Sequence, residues 1–104
     1  MVKQEVIELY GIEIYAEALT IYKSEIDKHL SILNDQNAKL DQINKIGHKL
    51  KGSSAMIGCD SVSDLFSQLE NTKSKDALGK ILLKLNTELE KLFNYAKQHQ
   101  LLEV

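Results

Sequence analysis

The sequence predicts an all-α fold, an antiparallel four-helix bundle with a short additional N-terminal helix. Three observations predict it. Apolar residues recur at steps of three, four and seven over almost the whole chain, the period of a helix with one buried face. Four such segments are joined by short polar breaks, and short connections make sequence neighbours pack as spatial neighbours. The chain contains no proline, so nothing forbids long uninterrupted helices. No strand-like alternation competes.

Each element has its own signature. Val2 to Leu9 reads as a short helix that ends near Gly11. From there Ile12, Ala16, Leu19, Ile26, Leu30 and Leu33 mark one helix from Ile12 to Leu33, with Tyr15 and Tyr22 at the edge of its stripe. Asn34-Asp35-Gln36-Asn37 is a polar break rich in cap-forming residues. The next stripe, Leu40, Ile43, Gly47, Leu50, Ser54 and Ile57, stops at Gly58, a helix terminator. Ser61-Val62-Ser63-Asp64 reads as a capping box, opening a helix whose apolar face is Val62, Leu65, Phe66 and Leu69. Asn71 to Lys75 is a second polar break. The last helix, from Lys75 to His99, has the cleanest pattern: Leu78, Ile81, Leu82, Leu85, Leu89, Leu92, Phe93 and Ala96. Each stripe has one apolar face to hide, and a shared core hides all four. That burial contributes roughly 25 cal/mol per Å2, offset largely by chain entropy.

Composition narrows the function. The 104 residues suffice for one compact domain, 1–104, and not for two. A net charge of −2 with interspersed signs argues against nucleic-acid binding. No apolar run approaches the roughly 20 residues needed to cross a bilayer, so no direct membrane insertion is expected. Met1-Val2-Lys3-Gln4-Glu5 lacks the form of a secretory signal. A single cysteine, Cys59, makes no internal disulfide and fits a reducing cytoplasm. A bundle this small is expected to be a monomer.

The segment Ile46 to Gly58 breaks helix rules. Gly52 sits inside the apolar period, where glycine costs about 1 kcal/mol relative to alanine, and Ser53 and Ser54 are poor helix formers. Rule-breaking of this kind is where function is often found. At about 100° per residue, His48 points away from the core stripe, with Asn44, Lys45, Lys51 and Gly52 one turn away and Ala55 beyond. Small residues remove bulk beside the imidazole, so a partner's reacting atom can approach. The lysine ammoniums lie where an anion attached to the ring would sit. A neutral imidazole is a nucleophile, and no phosphate-binding glycine loop accompanies it. Phosphoryl transfer, with the phosphate received from elsewhere and passed on, suits this arrangement. Blander readings stand beside it: a solvated surface histidine, an ordinary lysine face, and a Gly52 that permits close helix packing. Gly47, on the core stripe, reads as a packing residue.

Gly47-His48-Lys49-Leu50-Lys51-Gly52-Ser53-Ser54-Ala55-Met56-Ile57-Gly58 resembles the signature of histidine-containing phosphotransfer (HPt) domains, roughly H-x-L-K-G-[SA]-[SA]-x-x-x-G. His48, Leu50, Lys51, Gly52, Ser53, Ser54 and Gly58 match it. Leu65, Leu69 and Glu70 fit the Leu-rich helix that follows, and Gly47 stands where the family commonly has alanine. The resemblance implies that His48 is the phosphoacceptor, Lys51 stabilises the phosphate, Gly52 gives clearance beside the ring, and Glu70 accepts a hydrogen bond from one ring nitrogen. A carboxylate at Glu70 also repels phosphate. The implied reaction is reversible transfer between a receiver-domain aspartyl phosphate and His48, in two-component signal transduction. The receiver supplies the acidic residues and Mg2+; this domain binds no cofactor or metal of its own and is not itself an enzyme.

The expected docking face lies around Asn44, Lys45, His48 and Ala55, with apolar contacts from the first two helical segments. The chain's end soon after its last helix suits a free-standing intermediate or the C-terminal module of a hybrid sensor histidine kinase, whose cytoplasmic part it would then be. In the related chemotaxis-type kinases the phosphate comes instead from ATP through a separate catalytic domain. An alternative from another class is a non-catalytic helical adaptor that binds a signalling partner. Other candidates are weaker. His29 and His99 read as solvated, Cys59 as a packing residue, and Tyr10, Tyr15, Tyr22 and Tyr95 as core-edge aromatics.

Overall fold

The computed structural model describes residues 3–101. Five helices follow one another: α1 (Gln4–Tyr10), α2 (Ile12–Leu33), α3 (Leu40–Met56), α4 (Asp60–Asn71) and α5 (Lys75–Gln98), with no strand among the described residues. The four long helices form an antiparallel bundle and α1 is the short additional N-terminal helix. The expected start of α1 at Val2 lies outside the described residues. No helix among the described residues is long and apolar enough to cross a membrane.

Helix ends follow local chemistry. Gly11, at φ +81°, both ends α1 and starts α2; its N–H donates to the Ile7 carbonyl and its carbonyl accepts from Tyr15. Only glycine adopts that backbone readily. Asn34 closes α2, both its backbone N–H and its side-chain amide donating to the Leu30 carbonyl. Gly58, at φ +82°, ends α3, and the next residue, Cys59, donates to the Ser54 carbonyl. A Cβ on Gly58 would lie 2.9 Å from Val6 Cγ2, so this glycine also lets α1 approach. The Lys3 backbone N–H and ammonium fasten α1 there, to the Gly58 carbonyl (3.2 Å) and to Asp60 (2.8 Å). Ser74 caps α5, accepting from the Asp76 N–H.

Two sequence expectations fail here. The Ser61 capping box does not form: α4 begins two residues earlier than that box implies, at Asp60, with Cys59 at the cap position and no side-chain cap bond. The reversal at Gly58 delivers the chain directly into the helix, and the Ser63 hydroxyl instead donates to the Lys51 carbonyl across the α3–α4 interface. Tyr15 and Tyr22 are not at the edge of the α2 stripe but in the core, at 0% and 4% exposure, whereas Ile12 is 59% exposed. The tyrosines can be buried because each hydroxyl has a partner. Tyr15 donates to the Ile57 carbonyl at 2.6 Å. Ser54 Oγ gives its only hydrogen to the Leu50 carbonyl, so in its 2.6 Å bond with Tyr22 the tyrosine donates. Most of the rest of the core falls on the expected stripes, including Leu19, Ile26 and Leu33 of α2, Val62, Leu65, Phe66 and Leu69 of α4, and Leu85, Leu89 and Leu92 of α5, while Ala38, Ile46 and Leu101 are buried off those stripes.

The closest helix pair is α3–α4, and Gly47 is the reason. A Cβ there would stand 2.6 Å from both the Phe66 carbonyl oxygen and the Glu70 backbone nitrogen. These are backbone atoms, which cannot rotate away. Gly47 therefore brings the α4 backbone at Glu70 directly against α3, one residue before His48.

Candidate functional site

His48 lies midway along α3 with 72% of its side chain exposed. Its Nδ1 is 2.6 Å from Glu70 Oε1, and the other carboxylate oxygen, Oε2, accepts from the Lys51 ammonium. A carboxylate held by an ammonium is ionised and can only accept, so Nδ1 carries the ring hydrogen. In the neutral ring Nε2 is then left with its lone pair, and it has no hydrogen-bond partner among the described residues. The bond to Lys51, and next the bond to His48, hold the Glu70 carboxyl below its usual range. His48, Lys51 and Glu70 thus meet; the family resemblance implied Glu70 beside the ring, and the Lys51–Glu70 pair is an addition of the structure.

Gly52 is one turn beyond His48. A Cβ built on it meets nothing within 4 Å. Close helix packing, one of the blander readings, does not account for this glycine; for Gly47 it does.

The surface around the ring divides into a cationic end and an apolar end. Lys45 is exposed and has no ion-pair partner among the described residues, while Lys49 reaches Glu25 Oε1 at 3.5 Å. Ala55 is exposed, as expected. Asn44 is a correction to the expected docking face: it is half-buried, and its amide donates to the Leu69 carbonyl (2.7 Å) and the Thr72 carbonyl (3.0 Å), finishing α4. A polar residue at that position was read as exposed because the orphan carbonyls of a helix 25 residues away leave no local signal. Towards the C-terminal end of α3, Tyr10, Ile14, Ile21 and Met56 line a groove of about 400 Å3 between α2 and α3. Ile14, Ile21 and Met56 are each at least 60% exposed. Spacing missed this second stripe on α2 because the period that fills the core claims the same helix.

The remaining candidates sort simply. His29 is not solvated: its side chain is 13% exposed, and Nδ1 donates to the Glu25 carbonyl. Burial, then the Lys49 charge, push its pKa down. His99 is exposed and its ring stacks on Tyr95, centroids 4.2 Å apart. Cys59 is fully buried, and burial raises its thiol pKa. Tyr95 sits at the core's edge, as expected, whereas Tyr10 is a correction: it is exposed, because it ends α1 beside the groove rather than facing the core.

The sequence pattern of the Hpt domain family matches residues 13–95, which hold α2 almost entire, all of α3 and α4, and α5 to its last turn. No curated protein and no solved structure matches the chain. Hpt domains are helical bundles that carry phosphoryl groups in phosphorelays, have no ATP site of their own and interact with the receiver domains of response regulators. With its four-helix bundle, its matched segment and an exposed histidine midway along α3, the chain belongs to the Hpt domain family.

Proposed function

We propose that His48 is the phosphoacceptor, and that the chain takes a phosphoryl group from a receiver-domain aspartyl phosphate and passes it to another receiver. The observation that carries this is the His48–Glu70 hydrogen bond on an exposed ring, which leaves the Nε2 lone pair turned outward. In the forward step that lone pair attacks phosphorus. The N–P bond forms as the acyl P–O bond breaks, and the receiver's carboxylate leaves. The ring hydrogen stays on Nδ1, so the phosphorylated ring is cationic. Glu70 faces that developing charge at 2.6 Å and stabilises it.

Lys51 answers the repulsion between Glu70 and phosphate. In the phosphate-free state its ammonium neutralises the carboxylate. Once the ring is loaded, it swings to a phosphoryl oxygen, a charge-assisted bond. Gly52 keeps the approach to Nε2 clear. Mg2+ belongs to the receiver, which also supplies the acidic residues, and the domain itself binds no cofactor. The lysines around His48 complement that acidic site, and the groove lined by Ile14, Ile21 and Met56 receives the receiver's apolar face. The setting is cytoplasmic, and the domain works as a monomer, free-standing or as the C-terminal module of a hybrid sensor histidine kinase.

The test is transfer of labelled phosphate from phosphorylated receiver domains. The chain should take up acid-labile, base-stable phosphate, and His48→Gln should abolish it. Equal labelling of that variant would show that another residue is the acceptor. Labelling only by an ATP-dependent kinase domain would reassign the donor.

A further inference from the structure

Among the described residues Glu25 is the one charged side chain lining the groove between α2 and α3. It ends the stripe Ile14, Ala18, Ile21, Glu25, and faces Lys49, the neighbour of His48. Its carboxylate is poorly satisfied. Oε1 is 3.5 Å from the Lys49 ammonium, longer than an ordinary hydrogen bond. Oε2 is shut off from solvent and has no hydrogen-bond partner among the described residues. His29 Nδ1 stands 4.0 Å from Oε2 but gives its hydrogen to the Glu25 backbone carbonyl at 3.1 Å.

We propose that Glu25 selects among receivers: the groove favours a receiver whose docking face is apolar and carries a lysine or arginine placed to pair with Glu25. This rests on the reading that His48 exchanges phosphate with receivers. An apolar face laid on Ile14, Ile21 and Met56 expels water from the open side of the carboxylate. A carboxylate dehydrated with one long contact is strongly disfavoured, so a neutral docking face is penalised. A cation removes the penalty. The terminal torsion of a glutamate is soft, so the unpaired oxygen can turn to meet it. Such a pair also fixes register, holding the receiver's aspartyl phosphate against Nε2 rather than a turn of helix away.

The experiment measures transfer from a panel of phosphorylated receiver domains to the full chain and to its Glu25→Gln and Glu25→Lys variants. For the fastest receiver, each lysine or arginine on its docking face is changed to glutamate in turn. One of these reversals should lower kcat/KM with the wild-type chain by about tenfold or more, through KM rather than kcat, and Glu25→Lys should restore most of the loss. The isosteric Glu25→Gln should narrow the spread of rates across the panel. If no reversal couples to position 25, or Glu25→Gln leaves the order and spread of rates unchanged, the proposal is overturned while phosphotransfer stands. If no receiver labels the wild-type chain, the reading beneath it fails first.

Discussion

Alanine placed at Gly52 and at Gly47, on the same helix, should move stability in opposite directions. At Gly52 the added methyl meets nothing within 4 Å, so only the backbone effect remains. Alanine is favoured over glycine inside a helix by about 1 kcal/mol, and for a domain of this size that raises Tm by about 4–8 °C. At Gly47 the same methyl lies 2.6 Å from two backbone atoms of α4 and 3.1 Å from Leu69 Cβ. That is about 0.8 Å short of ordinary contact, and α4 must retreat. Overpacking of this kind costs about 1–3 kcal/mol, which offsets or exceeds the helical gain. Urea and thermal unfolding followed by circular dichroism give both signs. Phosphotransfer gives the second axis. On the proposed clearance role, Gly52→Ala should be the more stable protein and the slower acceptor, by about tenfold or more. Gly47→Ala should slow transfer by displacing Glu70 from the ring. A Gly52→Ala protein that transfers at the wild-type rate would refute the clearance argument. A Gly47→Ala protein more stable than wild type would refute the close-approach argument.

Three further outcomes follow from the same geometry. Glu70→Gln should slow transfer and alter acid stability: the native carboxyl is held below its usual range by Lys51 and then His48, so its stabilisation is present above pH 4.5 and lost as pH falls through the lower native value. Urea midpoints measured from neutral to acid pH should therefore fall more steeply for wild type than for the variant in that acid window. Lys51→Ala should leave the fold intact, lowering the urea midpoint only by the lost pair with Glu70, but slow transfer or shorten the lifetime of the phosphorylated form; unchanged transfer and lifetime would remove Lys51 from the mechanism. Tyr15→Phe should cost about 1–3 kcal/mol, since the buried Ile57 carbonyl loses its donor, and Tyr22→Phe about 0.5–1.5 kcal/mol, since Ser54 keeps its bond to Leu50. Chemical denaturation orders the two.

What the sequence disclosed was what a single helix can encode. The bounds of α2, the stop at Gly58 and the apolar faces of α4 and α5 all follow from periodicity and from glycines at positive φ. The misreadings came from side chains whose partners are remote in sequence. Tyr15 and Tyr22 looked peripheral because a tyrosine is buried only where its hydroxyl finds an acceptor, here 42 and 32 residues away. Asn44 looked free because the carbonyls it serves belong to α4. Glu70 was reached through the family resemblance, since no spacing rule joins positions 48 and 70. Gly47 was legible as a packing residue, but that this packing sets the distance from Glu70 to His48 appears only once α3 and α4 are seen together. Glu25 gave no signal at all, being one of three glutamates on an amphipathic helix.

Asn44, Gly47 and the Ser63–Lys51 bond rivet α4 to α3 at three levels, above, beneath and below the reactive ring. The contacts among His48, Glu70 and Lys51 are thus confined to a two-rod clamp, with the groove of α2 beside it and α1 and α5 as housing. A fault that parts the clamp draws Glu70 away from the ring, whereas damage at Leu85 or Leu92 should lower the yield of folded protein before it alters the reactivity of the molecules that remain.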